Sequence, residues 1–140
     1  MNVSEPKRAF EVARKKVITC GPDESLSAVA KLMVDHWISS VVVVEKGKPV
    51  GIVTDGIIFR LIACERNPLD LRAKDVMVKP VLTVRQNITL AEAEEWFLKS
   101  KVSRLVFVDD EGKLVGIVSK KDINRLAAYS LAERMRQRRP

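Results

Sequence analysis

Cysteine and histidine are nearly missing: the 140 residues hold two Cys and one His. Cys20 and Cys64 cannot build a disulfide framework, so a reducing, cytoplasmic setting is the expectation. Together with His36 they fall short of the four ligands that a structural zinc site needs, and no metal is expected. The longest apolar stretches, such as Val41–Val44, are far too short to span a bilayer. Residues Met1–Pro6 lack the apolar run of a secretory signal, so no membrane association is expected. There is no P-loop, dinucleotide glycine fingerprint or metalloprotease histidine pair. No acid, base, nucleophile and metal constellation converges, so an enzyme is not expected.

The composition that remains is globular, at 46% hydrophobic and 31% charged, and the length fits one domain or two small units sharing a core. The formal charge is +7, and its placement matters more than its total. Residues 1–16 carry a net +3 and residues 131–140 another +3, whereas 17–130 hold 16 basic against 15 acidic side chains. Basic ends on a neutral body fit contacts with nucleic acid or anionic lipid, or simply solvated tails.

The chain repeats itself. At an offset of 64, Ala9–Ala13 falls on Ala73–Met77, Val17-Ile18-Thr19 on Val81-Leu82-Thr83, and Ile38-Ser39 on Val102-Ser103. One inserted residue near Asp110 raises the offset to 65, and Val50-Gly51-Ile52-Val53 then meets Val115-Gly116-Ile117-Val118. Two copies result, 9–66 and 73–130, followed by a basic helical extension at 131–140.

Each copy reads as β-α-β-β-α. A short strand (Val17–Cys20; Val81–Val84) precedes a helix with Asp23 or Ser25, and Asn87 or Thr89, as candidate caps. Leu26, Val29, Ala30, Met33 and Val34 recur at helical spacing in the first copy, and Leu90, Ala93, Trp96 and Phe97 in the second. β-Branched runs, Ile38–Val44 and Val102–Val108, lead to tight turns at Lys46-Gly47 and Glu111-Gly112. Second strands, Val50–Val53 and Val115–Val118, run into closing helices. Such continuous apolar runs read as strands covered on both faces. The expected fold class is therefore α/β of the α+β kind, two repeats packed about a pseudo-two-fold axis. Two related clefts would lie at the junction, where pockets tend to form.

The chemistry sits in the strand-to-helix turn. Copy two reads Gly116-Ile117-Val118-Ser119-Lys120-Lys121-Asp122, and copy one Gly51-Ile52-Val53-Thr54-Asp55-Gly56-Ile57. A hydroxyl closing a strand caps the helix and sets free backbone N–H groups beside an anion. An Asp three residues later can reciprocate the cap or accept from vicinal ribose hydroxyls. A plain capping box accounts for the same residues without a ligand.

The paired G-h-h-[ST]-x-x-D-like turns, the preceding h-h-Thr strands and the Val76-Met77 of copy two resemble a tandem pair of CBS domains. That regulatory module often binds adenosine-containing ligands. The resemblance covers about residues 9–128 and implies that Ser119 and Asp122 meet phosphate and ribose, with Ile117 against the base. It draws the other walls from Ala13, Val17, Ile18, Ile38 and Ser39, and gives Arg104 to the phosphate. Arg104 equally suits a surface ion pair. AMP is the first ligand expected, then ATP, ADP or S-adenosylmethionine-like molecules. The resemblance also implies energy sensing, a homodimer and an effector protein to receive the signal. A nucleic-acid-associated regulator using the basic ends is the alternative.

Copy one departs from the pattern, because Ile57 stands where the Asp belongs. Isoleucine cannot accept a ribose hydroxyl, so one competent cleft is expected. The other, lined by Thr54, Met77, Val81, Leu82, Val102 and Ser103, is degenerate. Trp37 and Trp96 are expected to pack, Cys20 and Cys64 to be small buried hydrophobes, and His36 to sit at a helix end. Lys120 and Lys121 flank the intact turn. Along the last helix Ile123, Leu126, Ala127, Leu131 and Met135 share a face that outruns the domain.

Overall fold

The computed structural model describes residues 8–137, so residues 1–7 and 138–140 of the basic ends lie outside the described residues. The chain forms a 3-10 turn (Ala9–Val12), β1 (Thr19–Cys20), α1 (Leu26–His36), β2 (Ser40–Glu45), β3 (Lys48–Thr54) and α2 (Asp55–Ala63). After a second 3-10 turn (Pro68–Asp70) come α3 (Ala73–Val76), β4 (Thr83–Val84), α4 (Leu90–Lys99), β5 (Arg104–Val108), β6 (Leu114–Ser119) and α5 (Lys120–Gln137). The strands make two three-stranded sheets, ordered β1-β2-β3 and β4-β5-β6. Thus the fold is α+β and duplicated. No helix among the described residues is long and apolar enough to cross a membrane.

Local chemistry explains the element ends. The Ser25 hydroxyl accepts from Ala28 N–H (3.1 Å) and starts α1. Thr89 starts α4, its hydroxyl accepting from Glu92 N–H while Glu92 accepts from Thr89 N–H. Lys46 and Gly47 both take positive φ, 53° and 80°, as a two-residue hairpin turn demands. In the first sheet β1 runs parallel to β2, and β2 antiparallel to β3 with Ser40 opposite Thr54.

The compact units do not coincide with the sequence copies. One unit comprises residues 16–81 with 112–114; the other comprises the described residues up to 15, 82–111 and those from 115 onward. The leading segment of each copy therefore packs with the other copy's helices and sheet. Ala9 and Ala13 lie in the cluster of Phe97, Leu105, Phe107, Val118 and Ile123. Ala73 lies in the cluster of Leu26, Val29, Met33, Val41, Val43 and Val53.

Backbone pairing fixes the exchange. Arg14 and Ile117 trade both N–H···O bonds (2.8 and 3.0 Å), and so do Val78 and Ile52 (2.8 and 3.1 Å). The approach is close. A Cβ on Gly51 would stand 2.8 Å from the Cβ of Met77, and one on Gly116 would stand 3.0 Å from the Phe10 ring and 3.5 Å from the Arg14 carbonyl oxygen. The segment lying over each repeated turn thus leaves little room for a side chain at its glycine.

Four sequence expectations need correction. Val34 is 74% exposed because it lies off the stripe of Leu26, Val29 and Met33 that meets the core. Trp37 does not pack; it closes α1 in the left-handed conformation (φ 54°) and is 93% exposed. Cys64, at the end of α2, is exposed, whereas Cys20 is buried and its thiol is pushed up to about 11, mainly by that burial. Trp96 is partly exposed rather than sealed in the α4 core face.

Gly51→Ala is expected to destabilise by about 1–3 kcal/mol, since the Met77 side chain must shift down to its Cβ. Gly56→Ala, whose new methyl meets only Thr54 at 3.8 Å, should be neutral or stabilising; urea unfolding compares the two. Hydrogen bonds from Thr89 hold the Glu92 carboxyl below its ordinary 4.5. Its stabilising contribution is therefore complete above that value and lost as pH falls through the depressed one. Acid unfolding of Glu92→Gln should show a shallower loss of stability over that range than the wild type.

Candidate functional site

The intact turn joins β6 to α5. The Ser119 hydroxyl accepts from Asp122 N–H (3.1 Å), and Lys120 N–H donates to the Ser103 carbonyl (2.8 Å). Asp122 is half-buried in the first turn of α5, one carboxylate oxygen standing 3.8 Å from Arg125 Nη1. At that distance the pair is loose, which leaves the carboxylate able to accept hydrogen bonds.

Copy one builds the same cap from different chemistry. Thr54 Oγ1 accepts from Ile57 N–H at 3.4 Å, and Asp55 N–H donates to the Ser39 carbonyl (3.0 Å). The Asp55 carboxylate turns to its neighbour, accepting from Gly56 N–H (2.8 Å). Ile57 is half-buried where copy two has its carboxylate.

Strand alternation sorts the remaining residues. Val118 of β6 and Leu105 and Phe107 of β5 face the helices. Ile117 and Ser119 therefore point to the opposite face of β6, and Arg104 to the opposite face of β5. Arg104 Nη1 donates to the Ser103 hydroxyl (3.0 Å). The exchanged segment adds Ala13, buried, directly before the Arg14–Ile117 pair.

Five of the sequence-predicted binding residues, Ala13, Arg104, Ile117, Ser119 and Asp122, thus belong to one compact unit, and Val17, Ile18, Ile38 and Ser39 to the other. Of the degenerate set, Thr54, Met77 and Val81 lie in the unit of residues 16–81, and Leu82, Val102 and Ser103 in its counterpart. The Met77 side chain lies over Gly51. Sequence reasoning passed over Arg14, Gly51 and Gly116. The signal for the glycines was available: both turns begin with one. Arg14 has no counterpart of its own type in copy two, where the equivalent residue is Val78.

Two other features complete the electrostatics. Lys74 Nζ meets Asp23 Oδ1 at 2.8 Å, holding the Asp23 carboxyl below its ordinary range and raising Lys74. An open cavity of about 460 Å³ is lined by Arg85, Gln86, Asn87, Val108, Asp109 and Asp110, none of them predicted to bind. Among the described residues no three His, Cys, Asp or Glu side chains are grouped to hold a metal ion.

A duplicated β-α-β-β-α unit with a hydroxyl-capped turn in each copy defines a tandem-repeat module. The CBS domain model matches residues 9–64 and again 73–129, and the chain belongs to the CBS domain family as a tandem pair. An uncharacterised protein of Methanopyrus kandleri is 40% identical over 124 residues, 87% of this chain and 63% of that protein. An inosine-5'-monophosphate dehydrogenase of Methanocaldococcus jannaschii is 34% identical over 133 residues, 94% of this chain but 26% of the enzyme. The chain therefore spans less than two thirds of either relative. The CBS domain pair of protein MJ0100, solved with 5'-methylthioadenosine and S-adenosyl-L-methionine, superposes with a TM-score of 0.79 at 26% identity, covering 90% of this chain and 99% of that one. CBSX2, solved with AMP, gives 0.72 at 25% identity, covering 87% and 96%.

Ser119→Ala removes the cap of α5 and should lower stability by about 1 kcal/mol. Thr54→Ala, with its longer 3.4 Å bond, should cost less. Thermal unfolding of the two variants side by side measures the difference.

Proposed function

We propose that this chain is a non-catalytic regulatory module that binds an adenosine nucleotide, AMP first and ATP or ADP next, at the turn of Ser119 and Asp122. The observation that carries the reading is the intact turn, where a capped 18-residue helix presents a loosely paired carboxylate in its first turn. Ile117 supplies an apolar surface for the base, Asp122 accepts from the ribose, and Arg104 and the helix start serve the phosphate. Ala13, Val17, Ile18, Ile38 and Ser39 complete the binding set. The second set, Thr54 with Met77, Val81, Leu82, Val102 and Ser103, lacks the ribose acceptor. Support comes from MJ0100 and CBSX2, whose CBS pairs hold adenosine compounds.

The functional repeats are residues 9–66 and 73–130. The nucleotide acts by differential binding: it shifts the arrangement of the repeats only as far as its affinities for two arrangements differ. An effector protein reads that shift in the cytoplasm, as an energy or metabolite signal. Exposed Tyr129, Leu131 and Met135 on α5 support a homodimer. Exposed Arg134 and Arg136 at the end of α5 favour the second reading, a nucleic-acid-associated regulator, which requires steeply salt-dependent binding of DNA or RNA that is lost on deleting 131–140.

Calorimetry with AMP tests the site. Wild type should bind one equivalent. Asp122→Ala should bind at least about tenfold more weakly, the loss of one hydrogen bond to a charged group. Ile57→Asp should raise the stoichiometry to two. Equal binding by wild type and Asp122→Ala would remove the assigned site.

A further inference from the structure

The intact and degenerate turns differ at a position outside the repeated motif. Arg14 and Val78 are equivalent in the repeat, and each pairs through its backbone with the equivalent residue of a turn strand, Ile117 or Ile52. Because both N–H···O bonds are exchanged, the paired side chains stand on the same face of the ladder. That face of β6 also carries Ser119, two residues on from Ile117. Ser119 is the diagonal cross-strand neighbour of Arg14, a separation that a long side chain spans. The Arg14 side chain is exposed, and among the described residues its guanidinium pairs with no carboxylate. Lys15, on the other side of the segment, is engaged over the Phe10 ring at 4.8 Å.

The two turns therefore diverge together. Where copy two keeps the acceptor Asp122, the strand lying over it brings a guanidinium. Where copy one has Ile57, the overlying strand brings Val78. A planar, permanently charged fork beside a helix start suits a phosphate, and gains nothing from a neutral thioether or a cationic sulfonium. We infer that Arg14 is a specificity-determining residue of the Ser119–Asp122 turn, acting beside Arg104 to select 5'-phosphorylated adenosines over neutral or cationic ones. The inference rests on the nucleotide reading of that turn and adds to it which class of adenosine compound is chosen.

Calorimetry with two probes, AMP and 5'-methylthioadenosine, on wild type, Arg14→Gln and Asp122→Ala separates the two claims. Wild type should bind AMP at least about tenfold more tightly than 5'-methylthioadenosine, the scale of a hydrogen bond to a charged group. Arg14→Gln should lose about that factor for AMP and keep its affinity for 5'-methylthioadenosine, whereas Asp122→Ala should weaken both. Thermal unfolding of Arg14→Gln should match wild type, as its side chain is exposed. The role of Arg14 is overturned if wild type does not discriminate, or if Arg14→Gln changes AMP and 5'-methylthioadenosine alike or changes neither, while Asp122→Ala still weakens both. Should neither probe bind wild type, or Asp122→Ala leave both unchanged, the nucleotide reading falls and Arg14 falls with it.

Discussion

Two short backbone pairs hold the arrangement on which the rest depends. Arg14 with Ile117, and Val78 with Ile52, tie the leading segment of each copy onto the turn strand of the other. Each pair satisfies four polar backbone groups that would otherwise lie unpaired beside buried glycines. Close approach accompanies the pairing: a Cβ at position 51 would run into the Met77 side chain, and one at 116 would be tight against the Phe10 ring. The exchanged segments then contribute Ala9 and Ala13 to one core and Ala73 to the other. At roughly 55 residues, a copy has little apolar area to bury by itself, and borrowing a segment enlarges each core.

That constraint also sets the candidate site. Once the strand before the turn is held on one edge by the overlying segment, the direction in which Ser119 enters α5 is fixed. The hydroxyl cap and the Ser103 carbonyl then hold the first turn of the helix. Duplication gives the same frame twice, and side chains alone make the difference. Asp122 against Ile57, and Arg14 against Val78, give one turn a carboxylate and a guanidinium at positions where the other has apolar side chains.

Much of this was legible in the sequence, for physical reasons. The offset of 64 and then 65 located both copies, because strands covered on both faces leave continuous apolar runs and caps leave Ser or Thr before the helix. The turn and its asymmetry were legible because a carboxylate and an isoleucine cannot substitute for one another. The exchange of leading segments was not, since pairing between residues about a hundred positions apart, such as Arg14 and Ile117, leaves no periodic trace. Trp37 was misread because hydrophobic content says nothing about a left-handed helix end that turns its side chain outward. Cys64 was misread because its exposure follows from where α2 stops, and helix ends are the least determined part of a pattern. Arg14 was hidden for the same reason as the exchange: its neighbourhood exists only after the distant strands have paired.

In the proposed function one turn, and not its repeat, takes the nucleotide. A two-dimensional amide NMR titration of the wild-type chain with AMP tests it most directly. Saturable shifts are expected at Ile117, Ser119 and Asp122, with the amides of Thr54–Ile57 unmoved at the same concentrations. Equal shifts at both turns, or shifts at Thr54–Ile57 alone, would contradict it.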